Sequence, residues 1–145
     1  LALMHRKQFG NLGELKIAAQ LVGLGYHVFT ELGDICKSDL IVLGDDYTPI
    51  KLQVKCRTVK SGAVILSTKK AGPNYRFRYE KKHADIYAMY VPERDLCLYV
   101  SNTELLAQTT LNIRIDPSLN NNKRLVRFAS EYTDFNKALE KIKKS

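Results

Sequence analysis

Three features of the sequence predict an α/β fold, with a mixed β-sheet flanked by helices. Residues 49–57 (Pro-Ile-Lys-Leu-Gln-Val-Lys-Cys-Arg) alternate strictly between apolar and polar side chains, the period-two signature of a strand with one buried face. A helical stripe of Ile17, Ala18, Leu21, Val22 and Leu24 lies before it, and another, of Phe135, Ala138, Leu139 and Ile142, ends the chain. The order helix, three strands, then further β and α segments implies a mixed sheet.

The first helix is expected from Asn11 to about Leu24, closed by Gly25. Glu14 stands one turn before Ala18 and two before Leu21, at the head of the stripe. A carboxylate there needs a partner, a cation or water, although a first-turn Glu also suits the helix dipole. Tyr26 to Leu32 reads as a strand broken by Gly33-Asp34. Ser38 to Leu43 reads as the next, ended by Gly44-Asp45-Asp46. Asp39 opens that otherwise apolar run, where an acid contributes nothing to a core. Asp34, Asp45 and Asp46 fall in turns, where Asp is common for local hydrogen-bonding reasons, and receive no chemical role.

The alternating stretch is the third strand. Ile50, Leu52, Val54 and Cys56 form its core face, while Lys51, Gln53, Lys55 and Arg57 share the other, expected to be solvated. Residues two apart on a strand lie roughly 7 Å apart on one face, so an amide oxygen and an ammonium can converge there. After a turn at 59–62, Ala63 to Thr68 is a fourth strand and 69–74 a loop. Tyr75 to His83 then interleaves aromatics with cations, a texture suited to a phosphate backbone. Ala84 to Val91 is apolar enough for a central strand, and Pro92-Glu93-Arg94-Asp95 turns it into a hairpin with Leu96 to Val100. Ser101 or Asn102 caps a short helix. Leu111, Ile113 and Ile115 alternate as another strand, 120–122 form a loop, and 123–128 a further strand. Thr133 is the expected cap of the last helix, whose apolar face suits either core packing or an oligomer contact.

Length and composition set the frame. At 145 residues the chain fits one domain, with a core region near 8–106 and an extension at 107–145. Lys and Arg total 23 against 15 Asp and Glu, a net charge of +8, which favours a polyanionic partner such as nucleic acid. Cysteines at 36, 56 and 97 are odd in number and lack metal-site spacing, so reduced thiols in an intracellular, cytoplasmic protein are expected. No apolar run approaches the roughly 18 residues of a membrane span, and no membrane partner is expected.

Glu14 on the first helix, Asp39 at the second strand and Gln53 on the third offer hard oxygen ligands suited to Mg²⁺, with Mn²⁺ as a second candidate. Lys55 can hold or deprotonate a water, or stabilise charge developing on a phosphate. Metal-assisted phosphodiester hydrolysis needs those parts. Candidate DNA contacts are Arg57, Lys60, Lys69, Lys70, Tyr75, Arg76, Arg78, Lys81 and Lys82.

Ser38-Asp39 followed, after thirteen residues, by Gln53-Val54-Lys55 resembles the PD-(D/E)xK nuclease superfamily. Ser38 stands where Pro is frequent, and Gln53 replaces the second acid, which removes one negative charge from the site. That replacement, with Gly33-Asp34 through Asp39-Leu40-Ile41, resembles the small homing endonucleases encoded in bacterial group I introns, over about residues 8–106. The resemblance implies a metal-dependent DNA endonuclease with Glu14, Asp39, Gln53 and Lys55 as catalytic residues. It also implies a double-strand break at a long target, made by a homodimer or a tetramer. Two other classes fit the residues as well: a Holliday junction resolvase or restriction enzyme using the same four, and a non-catalytic nucleic-acid-binding domain.

Overall fold

The structure is a computed structural model and describes residues 4–106, 108–117 and 126–143; of Lys70 it describes only the main chain. Ten strands and two α-helices follow one another as α1 (Arg6–Gly23), β1 (His27–Thr30), β2 (Leu40–Leu43), β3 (Pro49–Cys56), β4 (Ala63–Ser67), β5 (Lys69–Gly72), β6 (Tyr75–Arg78), β7 (Ile86–Val91), β8 (Leu96–Ser101), β9 (Thr110–Arg114), β10 (Arg127–Phe128) and α2 (Phe135–Lys143).

The main sheet runs β1-β2-β3-β7-β8. All its neighbours are antiparallel except β3 and β7, which are parallel. A second sheet, β10-β9-β4, and the β5–β6 hairpin complete the β structure. The fold is therefore a mixed sheet with flanking helices. Ile17 and Leu21 of α1 and Phe135 and Ala138 of α2 pack on the face formed by Leu52, Val54, Cys56, Ile86, Ala88 and Tyr90. The opposite face, with Tyr87, Met89, Leu98 and Val100, is covered by Val64, Leu66, Leu111 and Ile113 of the second sheet. Because side chains alternate along a strand, β7 feeds both cores, and all six of its residues are buried.

Several sequence expectations are corrected. Helix α1 starts at Arg6 rather than Asn11, because His5 caps it. The His5 Nδ1 accepts from Lys7 N–H at 3.1 Å, and Gln8 Oε1 accepts from His5 N–H at 3.0 Å. Val22 and Leu24 leave the stripe and are exposed. Residues 69–74, expected as a loop, form β5 and its turn, with the Tyr75 strand as partner. The cap of α2 is Asp134, whose Oδ1 accepts from Asn136 and Lys137 N–H at 2.9 and 3.3 Å, in place of Thr133. On the apolar face of α2, Phe135 and Ala138 are buried in the chain's own core, at 1% and 4% exposure, while Leu139 and Ile142 are partly buried against it. The expected loop at 120–122, and residues 123–125 of the expected strand before Arg127, lie outside the described residues.

The face of β3 expected to be solvated is covered as well. Gln53 and Lys55 sit opposite Tyr87 and Met89 and thus point into the second core; each is only 5% exposed. All three cysteines are free thiols. Among the described residues no helix is long and apolar enough to cross a membrane.

Candidate active site

The site forms where β3 outruns β2. Their register begins at Leu40 opposite Leu52, so Gln53 to Cys56 have no ladder partner on that side. The chain ahead of β2 fills the gap. Asp39 N–H donates to Leu52 C=O at 2.8 Å, and the Asp39 carboxylate accepts from Val54 N–H at 2.8 Å. An orphaned strand donor is satisfied by a side chain, which fixes the carboxylate beside the Gln53–Lys55 face. Ser38 is held too: its hydroxyl donates to His83 C=O at 2.6 Å.

Helix α1 comes close to β3 because residue 13 is glycine. A Cβ there would meet the Cβ of Cys56 at 3.0 Å. The next residue, Glu14, is half-buried and lines a cavity of about 370 Å³ with Asn11, Thr30, Asp34, Ser38 and Asp39. Burial pushes the Glu14 carboxyl above its ordinary value, and Asp39 and then Asp34 push it the same way. Asp34, given no role from sequence, therefore belongs to the acidic wall of this cavity. Its turn position hid it, and its left-handed backbone (φ 50°) is a conformation that Asp tolerates better than most residues. A larger concavity of about 540 Å³, between Tyr26, Asp45, Ile50 and Ile142, includes none of the four predicted catalytic residues.

Gln53 and Lys55 lie on the face of β3 that meets the second core, beside Tyr87 and Met89. Gln53 Oε1 is buried and has no hydrogen-bond partner among the described residues. An acceptor in that condition costs about 1–3 kcal/mol. Lys55 Nζ rests 4.6 Å from the ring centroid of Tyr79, a cation–π distance. Arg57 continues the face half-buried, with Nη1 donating to Cys56 C=O at 3.0 Å; burial holds its pKa below the ordinary value.

Glu14, Asp39 and Gln53 are the residues that would hold a divalent cation. No group of three His, Cys, Asp or Glu among the described residues could hold a metal; an amide oxygen is the third donor. A cation there would give the orphaned Gln53 oxygen a partner and relieve the repulsion that raises Glu14. The same crowding predicts a stability effect in the metal-free protein. A carboxyl whose folded pKa exceeds its unfolded value of about 4.5 stabilises the fold below that value. The contribution is lost as pH rises through the folded pKa. Glu14→Gln is therefore expected to raise the metal-free melting temperature at pH 7 and to leave it unchanged near pH 4. An unaltered or lowered melting temperature at pH 7 would contradict the crowding.

The predicted DNA contacts divide into groups. Lys69 pairs across the hairpin with Arg78, and Ala71 with Arg76, so Lys69, Arg76 and Arg78 share one exposed face. None of the three makes an ion pair among the described residues. Three like charges on one face repel unless a polyanion neutralises them. Tyr75, exposed at 59%, lies on the other face of the hairpin. Lys81 and Lys82 are exposed on the 3-10 turn that follows β6, Lys82 paired with Glu80 at 3.7 Å. Lys60 is exposed at the separate turn before β4. The Lys70 side chain lies outside the described structure.

A model of the PD-(D/E)XK endonuclease family matches residues 4–135. No curated protein sequence matches. Among solved structures, the chain is similar to a bacterial homing endonuclease, I-Ssp6803I, with a TM-score of 0.74 and 18% identity over 97% of this chain and 95% of that one. It is similar, more distantly, to the Holliday junction resolvase Hjc of Archaeoglobus fulgidus, with a TM-score of 0.47 and 17% identity over 72% of this chain and 83% of that one.

Proposed function

This chain belongs to the PD-(D/E)XK endonuclease family, and from that premise we propose that it is a metal-dependent DNA endonuclease of the site-specific homing type. The observation that carries the reading is the Asp39 carboxylate held on Val54 N–H at the free end of β3, the strand that bears Gln53 and Lys55, with Glu14 facing Asp39 across one cavity. The likeness to a bacterial homing endonuclease across nearly the whole of both chains favours the homing type.

In this reading Glu14, Asp39 and Gln53 hold Mg²⁺ or Mn²⁺. The ion supplies Lewis-acid stabilisation of the charge that builds on the phosphoryl oxygens. Lys55 donates from its ammonium to the attacking water or to a phosphate oxygen, orienting one and stabilising the other. Water oxygen bonds to phosphorus, one P–O ester bond breaks, the water proton leaves to solvent, and the departing sugar oxygen takes up a proton from solvent. Asp39 keeps its position through the Val54 N–H bond throughout. Cutting both strands requires two such sites, and symmetric oligomers are the usual solution, so the reading includes a homodimer or a dimer of dimers.

The deciding experiment is digestion of a randomised duplex library with Mg²⁺, reading which sites are cut and on which strands. Double-strand cuts at one long sequence support the homing type. Cleavage confined to branched or short palindromic DNA favours a resolvase or restriction enzyme, and no cleavage favours a binding domain.

The basic hairpin face makes a second, separate prediction. Duplex affinity should fall steeply with salt, because each phosphate contact releases condensed counterions. Replacing Lys69, Arg76 and Arg78 together with Gln should reduce the slope of log K against log salt by roughly 2–3. A slope unchanged by the triple substitution would move the DNA to another surface.

A further inference from the structure

The geometry points to Tyr79 as the positioning residue for Lys55, its ring serving as the platform that holds the ammonium at the catalytic end of β3. This rests on the nuclease reading, in which Lys55 acts on the water or the phosphate. A lysine reaches its target on a flexible four-carbon stem, and a group that must meet a reacting atom within a fraction of an ångström needs that freedom removed. Main-chain pairing cannot do it. An aromatic face can, because its quadrupole attracts the cation without consuming an N–H donor.

The platform is built rigidly. Tyr79 is 5% exposed, and its N–H donates to Thr68 C=O at 2.8 Å. Phe77, His83 and Tyr87 meet its ring at centroid distances of 5.0, 6.2 and 6.3 Å, all close to perpendicular. His83 is itself fixed, its Nδ1 accepting from Glu80 N–H at 2.8 Å. The same segment holds the other site strand: Ser38 donates to His83 C=O, and Lys37 Nζ lies 4.6 Å from the Phe77 ring centroid. Phe77 lies between Arg76 and Arg78 on β6, and Tyr79 follows it directly. Contact between the hairpin and a phosphate backbone is thereby linked through one aromatic cluster to both Lys55 and the Ser38-Asp39 step.

Two variants and one spectroscopic measurement test this. Tyr79→Phe keeps the ring face; Tyr79→Leu keeps apolar bulk and removes it. Tyr79→Leu is expected to lower kcat about ten- to a hundredfold with KM and duplex affinity unchanged, while Tyr79→Phe stays close to wild type. Independently of activity, the Lys55 ε-methylene protons should resonate upfield from the ring current in wild type and Tyr79→Phe. In Tyr79→Leu they should return to ordinary lysine shifts. Wild-type kcat in Tyr79→Leu overturns the proposal, as does an equal loss in Tyr79→Phe or a loss carried by KM. If Tyr79→Leu does not fold, the wild-type spectrum decides: unshifted ε-methylene protons overturn the proposal, and shifted ones preserved in Tyr79→Phe support it. Failure of the wild-type protein to cut any DNA overturns the nuclease reading instead, and leaves the spectroscopic result standing on its own.

Discussion

Lys55→Ala is expected to lose cleavage while keeping duplex binding. In the proposed reaction the ammonium touches the chemistry, and at 5% exposure it is too enclosed to serve as an ordinary phosphate contact. Positioned proton donors and acceptors contribute about 10²–10⁴-fold, or roughly 3–5 kcal/mol of barrier at 1.36 kcal/mol per decade. Alanine also empties space beside Tyr79 and Met89, so Lys55→Met should be measured with it as a control for packing. Both variants should fold, bind with wild-type salt dependence and fail in single-turnover cleavage. Methionine restoring stability but not activity would separate packing from chemistry. Turnover at the wild-type rate in either variant would remove Lys55 from the site.

The second large effect is at Asp39. Asn can still accept the Val54 N–H bond, so Asp39→Asn preserves the local fold and removes only charge. Loss of a residue that merely supports a ligand typically costs about 10–100-fold in metal affinity or activity, and loss of a charged ligand should exceed that. Gln53 gives the complementary comparison. Gln53→Glu adds an acid at a position only 5% exposed. It should therefore destabilise the metal-free protein yet retain cleavage, with half-maximal activity at lower Mg²⁺. Gln53→Ala removes the oxygen and should fall below Gln53→Glu at every Mg²⁺ concentration. A Mg²⁺ titration of all three on one duplex settles the matter: Asp39→Asn cutting like wild type, or Gln53→Ala outperforming Gln53→Glu, would mean another metal site.

Much of this arrangement is legible in the sequence, for reasons particular residues make plain. The 49–57 alternation specified β3 and its helix-facing side, because burial of Leu52, Val54 and Cys56 imposes a period of two. Asp39 stood out because an acid opening an apolar strand has no packing role, and the structure shows its local one, the Val54 N–H. The burial of Gln53 and Lys55 was not legible. Whether a polar strand face meets water or a second layer depends on β4 and β9, which pair with each other across more than forty residues of sequence. The early start of α1 was hidden because its cap is His5, outside the usual Ser, Thr, Asp and Asn signals. The hairpin was obscured by Gly72-Pro73-Asn74, which reads as a loop but forms a tight turn between two short strands.

The parallel pairing of β3 with β7 bears on how the protein is made. All four proposed catalytic residues lie within the first 55 positions, and a ribosome releases them early. Yet β3 stays an unpaired, aggregation-prone edge on one side until residues 86–91 arrive to pair with it. Non-local parallel pairing forms slowly, because the intervening chain must be closed into a loop first. The nascent chain thus carries all four proposed catalytic residues before the strand that completes their sheet. An amino-terminal fragment ending before β7 should be inert and insoluble rather than a miniature enzyme.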